Sequence, residues 1–223
     1  MDISFIPIWF VIFLLSLSIH EAAHAWTAEM FGDSTGRYLG RVTLNPLAHI
    51  DLLGTIIFPL GSVILAAMGG GSLPMFGWAK PVPFNPNKLR DRRMGEICIA
   101  LAGPFSNVLL AIIFFILLKV IFFTNLLPPQ ALGEFSEPAG KMLLVGLRLN
   151  VILAIFNLLP IPPLDGSHVV RNLLPDGLAE VYARLYDFGF LILFGLMVSG
   201  IIRVITSPIL NPIFGLVDTL LQL

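Results

Sequence analysis

Apolar runs long enough to cross a bilayer constrain this chain more than any other feature of its sequence. They lie at about 4–30, 51–69, 95–123, 142–160 and 182–206, with a weaker run at 208–223. A helix needs about 20 apolar residues to cross about 30 Å of hydrocarbon, so four to six membrane segments are expected. Composition agrees: of 223 residues, 57% are hydrophobic and 12% charged, against about a quarter charged in soluble domains. Backbone groups in lipid must bond within their own segment, which makes the expected fold all-α. Residues 1–223 then read as a single domain, a polytopic membrane helical bundle. Residues 3–19 lack the basic start and the small-residue cleavage site of a leader, so they read as a mature helix.

A net charge of −1 and a pI near 6.4 give no polybasic signature, so no nucleic-acid partner is expected and the lipid bilayer is the evident one. The single cysteine, Cys98, rules out an intrachain disulfide and reads as ordinary packing. Two stretches do not read as helix. Residues 32–50 are turn-rich, and 69–93 open on Gly69, Gly70 and Gly71 and continue through Pro74, Pro81, Pro83 and Pro86.

The chemistry begins at His20-Glu21-Ala22-Ala23-His24. Two histidines four apart share one helical face and can reach one metal, while the intervening glutamate is close enough to act on bound water. Short matches of this kind arise by chance, and paired histidines also serve as satisfied polar groups. Here they follow an uncharged stretch, and an ionisable group at membrane depth costs on the order of 3 kcal/mol, so their burial calls for a partner. A catalytic zinc site takes three protein ligands and leaves the fourth position open, so one more donor is needed. His49, His168, Glu29, Asp51 and Asp165 are the candidates. Asp165 is best placed, directly after the run 142–160, where Pro160, Pro162 and Pro163 end the helix and Gly166 permits a sharp turn. Its competing role is a helix cap.

These motifs resemble those of the site-2 protease family of intramembrane zinc metalloproteases. HEAAH at 20–24 matches the family's HExxH. Gly103-Pro104-Phe105-Ser106-Asn107 looks like its GPxxN element, and Leu164-Asp165-Gly166 like its LDG element, in the family's order. The segments 45–51 and 77–83 look like those of the compact prokaryotic branch, which carries no PDZ or CBS domain. The resemblance implies hydrolysis of a peptide bond in or near a transmembrane segment of a membrane protein substrate. It implies one zinc per chain held by His20, His24 and Asp165, with Glu21 as general base on the metal-bound water. Asn157 would bind the substrate backbone or the oxyanion, for which an amide donor is suited. Asn107 ranks lower, as a polar link between helices. Selection of substrate would rest on the membrane core, a regulatory membrane partner or a homo-oligomer.

One metal requires the helices ending near HEAAH and at 142–160 to run in the same direction. Residues 32–93 and 161–177 then share one membrane face, which holds Arg37, Arg41, Lys80, Lys88, Arg90, Arg92, Arg93 and Arg171. The opposite loop, 124–141, holds Lys141, Glu134 and Glu137. The positive-inside rule puts the active site of this multi-pass protein towards the cytoplasmic side of the cell membrane. The run 51–69 would reverse the parity if it crossed alone. Either it is a re-entrant hairpin broken near Pro59-Leu60-Gly61, or it crosses and 70–86 returns through a protein-lined cavity.

Residues 78–83 are expected to form a short extended segment near the site, either an edge for an unwound substrate or a rigid surface loop. His168 reads as a support to the site, since a fourth protein ligand would exclude water. His49 and Asp51 either orient a ligand histidine or cap the helix that follows. Two rivals compete with a protease: an ion transporter using the buried ionisable groups, and an inactive scaffold that binds membrane helices.

Overall fold

The computed structural model describes residues 6–67, 77–123 and 136–221. Regular structure among the described residues is helical, without strands. Helix α1 (Ile6–Met30) buries Phe13, Leu17, His20, His24 and Ala28, which recur three or four apart and form one inward stripe. Gly32, in the left-handed region at φ 111°, turns the chain out of α1. A short α2 (Thr35–Tyr38) follows, then a turn through Pro46–Ala48.

The expected break near Pro59-Leu60-Gly61 is not there: a π-helical stretch Leu52–Ile57 leads into α3 (Phe58–Ala67), which runs through all three residues. Asp51 caps this segment, its Oδ1 accepting from the Gly54 amide at 2.7 Å. Residues 68–76, with Gly69–Gly71 and Pro74, lie outside the described residues. The chain reappears beside its point of departure, where the Trp78 amide donates to the Gly54 carbonyl at 3.2 Å. A Cβ at Gly54 would lie 2.3 Å from the Trp78 ring, so only glycine admits this return. The excursion 54–77 therefore starts and ends at one level and leaves the parity intact.

Helix α4 (Arg92–Phe123) is the hub. Its 32 residues span about 48 Å at 1.5 Å per residue. It packs between α1 and α5 (Ser136–Asn157). Buried Ala100 and Ala111, with Gly103 between them, let α1 approach closely. A proline-rich turn with a cis Pro162–Pro163 bond joins α5 to α6 (Asp165–Leu173). Gly166 sits in the first turn of α6, so its missing Cβ supplies space rather than a turn: a Cβ there would lie 2.2 Å from the Leu158 carbonyl oxygen.

The last third departs from the expected runs at 182–206 and 208–223. Helices α7 (Asp176–Ala183) and α8 (Gly189–Val198) flank a 3-10 turn, and α9 (Ile201–Leu221) continues through both Pro208 and Pro212. The break falls at Ser199–Gly200, where Gly200 takes φ 78°. Five helical stretches are long and apolar enough to cross a membrane, Asp176–Val198 among them. That stretch nevertheless packs along the 156–172 end of the molecule. Tyr182 Oη donates to the Pro160 carbonyl at 2.9 Å, Tyr186 meets Ser167 at 2.8 Å, and Leu193 packs against Leu159 and Leu164. Ile202 joins this cluster, while Val217 and Leu221 pack against Leu118, Leu143 and Leu147 at the far end. Helix α9 thus runs antiparallel to α5, and an Arg148–Asp218 ion pair of 2.8 Å joins the two.

Asp33 ties the connection after α1 to the segment before α4. Its carboxylate accepts from the Thr35 amide and hydroxyl and from the Asn85 amide at 2.6 Å, with the Lys88 ammonium 3.8 Å away. Desolvation opposes ionisation, but these donors outweigh it and hold the carboxyl below its ordinary range. A depressed native pKa gives stability that is present above the unfolded value of about 3.9 and is lost as pH falls through the native value. Asp33→Asn is therefore expected to lower the melting temperature at neutral pH. The difference from the parent should shrink progressively below about pH 4 when unfolding is followed in detergent.

Candidate metal centre

His20 and His24 project from the second half of α1 onto α4, and both are buried, at 4% and 9% exposure. Each ring is anchored by Nδ1. His24 Nδ1 lies 2.6 Å from the Ile99 carbonyl oxygen, which can only accept, so Nδ1 carries a proton and the neutral ring keeps its lone pair on Nε2. His20 Nδ1 lies 2.6 Å from Asn107 Oδ1. The Asn107 amide nitrogen is engaged with Asn150 Oδ1 at 2.8 Å, so the atom facing His20 is an acceptor and the same tautomer results.

The two Nε2 atoms stand 3.0 Å apart. Asp165 approaches them from α6, with Oδ2 at 3.1 Å from His20 Nε2 and Oδ1 at 3.4 Å from His24 Nε2. Asp165 is the first residue of α6 and Leu164 its N-cap, so the capping alternative does not describe it. Glu21 completes a group whose donor atoms, with those of His20 and His24, lie within 4.8 Å of one another. Its Oε2 accepts from the Val82 amide at 3.2 Å.

Three features fit this cluster to a cation. In the neutral rings, with both Nδ1 atoms protonated, neither Nε2 can donate to the other, so a 3.0 Å approach brings two lone pairs together. Asp165 Oδ2 is buried without a hydrogen-bond donor. A Cβ at Gly103 would lie 2.4 Å from His24 Nε2 and 2.5 Å from His20 Nε2, so α4 leaves a hollow where the two lone pairs converge. Two imidazoles and a carboxylate are a donor set suited to zinc.

The cluster lies in a cavity of about 680 Å³ that runs towards membrane depth between aromatic walls of Trp9, Phe13, Trp78, Phe156 and Phe190. Asn157 also lines it, with Nδ2 donating to the Leu153 carbonyl at 3.0 Å. His168 lines it too, stacked edge-on to Tyr186 with centroids 5.1 Å apart. Burial lowers the His168 pKa, with Arg171 acting in the same sense and Asp165 against it. His49 bonds elsewhere, its Nε2 reaching the Thr43 carbonyl at 3.0 Å. The extended segment runs past the site antiparallel to 49–54, through Lys80 N–H to His49 O at 2.8 Å and Trp78 N–H to Gly54 O. Pro81 and Pro83 have no amide proton and Val82 spends its own on Glu21, so within 78–83 only Ala79 keeps one for an added strand.

The sequence reading ranked Asn107 low and passed over Asn150, Ile99 and the space at Gly103. Asn150 carried a usable signal, a second amide on the apolar helix two turns before Asn157.

The sequence profile of peptidase family M50, the site-2 protease family, matches residues 8–143 and 134–196. The chain belongs to this family. YwhC of Bacillus subtilis, named as a zinc metalloprotease, is 33% identical over 209 residues, covering 94% of this chain and 88% of YwhC. Rip2 of Mycolicibacterium smegmatis, similarly named, is 30% identical over 190 residues, covering 83% of this chain and 64% of Rip2. A relative from Methanocaldococcus jannaschii is 44% identical over 73 residues, 33% of this chain and 32% of the relative. No solved structure matches. The protein is accordingly a zinc-dependent metalloendopeptidase with multiple membrane helices, which displaces the transporter reading.

Gly103→Ala is expected to abolish zinc retention while leaving the fold intact, because the added methyl occupies the hollow between the imidazoles. Metal content by mass spectrometry, alongside helical content by circular dichroism, checks this. Zinc bound at the parent's level in Gly103→Ala would show that the hollow is not the metal site.

Proposed function

We propose that this protease hydrolyses a peptide bond in or near a transmembrane segment of a membrane protein, and that residues 1–223 act as one intramembrane catalytic domain. In this reading His20, His24 and Asp165 hold one zinc and Glu21 is the general base. The observation that carries it is the approach of Asp165 to two imidazoles whose Nδ1 atoms are both anchored, leaving three donor groups free at one point.

Zinc, when bound, supplies Lewis acidity that lowers the pKa of water to about 7 and polarises a carbonyl. The rest falls to the protein. The Glu21 carboxylate takes the proton from the attacking water at one oxygen and delivers it to the leaving amine nitrogen. The Val82 amide holds the other carboxylate oxygen in place through its 3.2 Å bond, which fixes the direction in which the base can act. One amide proton of Asn157 is spent on Leu153, and the second is available to a substrate carbonyl lodged in the cavity. The aromatic walls suit an apolar substrate segment and exclude bulk water from the charge that develops.

A cytoplasmic opening is supported by the arginines at the site end of the bundle. Arg92, Arg93 and Arg171 line one pocket there, and Lys88 and Arg90 lie exposed just before α4.

Glu21→Gln is expected to retain zinc and lose cleavage by several orders of magnitude, whereas His20→Ala and Asp165→Ala should lose both. Zinc content with cleavage of a reporter transmembrane substrate measures this, and full cleavage by Glu21→Gln would remove the base assignment. For sidedness, Lys88→Cys in a chain with Cys98 replaced should react with a membrane-impermeant maleimide in inverted vesicles and not in spheroplasts. The reverse pattern would place the site on the other face.

A further inference from the structure

Asn150 is fully buried on α5 and takes no part in the scheme above. An amide at this depth is costly unless every donor and acceptor is matched, and here they are. Its Nδ2 donates to the Gly146 carbonyl at 2.8 Å and to Ser16 Oγ at 2.9 Å. Its Oδ1 accepts from Asn107 Nδ2 at 2.8 Å.

The order of these bonds has a fixed direction. A backbone carbonyl can only accept, so Gly146 holds the Asn150 amide with its NH2 group towards Gly146 and Ser16. The Asn150 oxygen is thereby turned to Asn107, which must offer its own NH2 group. Asn107 Oδ1 is then left for His20 and accepts from Nδ1–H. A reversed Asn107 would set its NH2 against Nδ1, and the imidazole proton would move to Nε2, the atom that faces Asp165.

We propose that Asn150 is a positioning residue for the metal centre: through Asn107 it fixes His20 as the Nδ1–H tautomer and keeps Nε2 free for zinc. This rests on the reading of His20 as a ligand. Ser16 shares the Asn150 NH2 group but does not set the direction, because its hydroxyl can donate or accept.

The test compares zinc affinity, by competition with a chromogenic chelator, in the detergent-purified parent, Asn150→Leu and Ser16→Ala. Loss of a group that orients a ligand typically costs about 10–100-fold in metal affinity, and that loss is expected for Asn150→Leu. Ser16→Ala keeps the Gly146 bond and should stay much nearer the parent. Nitrogen NMR of the metal-free parent with labelled histidine is the second measurement and needs no folded Asn150 variant. The His20 signals, assigned by their loss in His20→Gln, should show a protonated Nδ1 and a bare Nε2. Parent-like affinity in folded Asn150→Leu, or a bare Nδ1 in the parent, overturns the proposal. Undiminished zinc binding by His20→Ala would instead overturn the ligand reading itself, and the proposal with it.

Discussion

The contact between His20 and Asn107 is the interaction on which the rest of the core depends. Both side chains are buried between helices that are otherwise apolar, where an unmatched polar atom has no water to turn to. Each partner must therefore come from another helix, and the requirement propagates: α1 needs Asn107 of α4, which needs Asn150 of α5, which returns to Ser16 of α1. The circuit joins the three core helices at one level. Apolar packing alone would specify their association weakly, because lipid is as apolar as the side chains it would replace.

This circuit also explains which parts of the site were legible in the sequence. The spacing of His20, Glu21 and His24 is a property of one helix, and a periodicity of 3.6 suffices to put the histidines on one face. Asp165 was legible because three prolines and a glycine mark the end of its preceding helix, although Gly166 contributes space rather than a turn. The partners of the two imidazoles were not. The GPxxN motif marks Asn107 as a polar link between helices but not its partner, which lies 87 residues away, and nothing local distinguishes the Ile99 carbonyl, 75 residues from His24, from other backbone groups on α4. Tertiary pairing between helices is invisible to any periodicity.

The fold class was legible, but segment boundaries were misplaced where local rules met the membrane. Pro208 and Pro212 mark a break in a soluble helix, yet α9 passes through both. Helices in lipid tolerate proline because neighbouring side chains and local adjustment satisfy the freed carbonyls. The actual break, at Ser199–Gly200, turns on a left-handed glycine in a run of even hydropathy. Length misleads as well: 176–198 would reach across a bilayer, but Tyr182, Tyr186 and Leu193 each bind it to the end of α5 and the start of α6.

Direction along the chain follows from these contacts and decides how the site is reached. Helices α1 and α5 run towards the metal centre, and α4 and α9 run away from it. Residues 54–77 return beside their own start, and 176–198 stay at the site end. The connections 31–57, 77–91 and 158–175, with the short helices they contain, therefore gather on one face around His24, Glu21 and Asp165. That arrangement resolves a conflict between the two demands on the centre. The imidazoles sit inside the helical bundle, where a low dielectric strengthens their hold on a cation. The carboxylates of Glu21 and Asp165 meet the polar connections, where backbone amides such as that of Val82 can bond them.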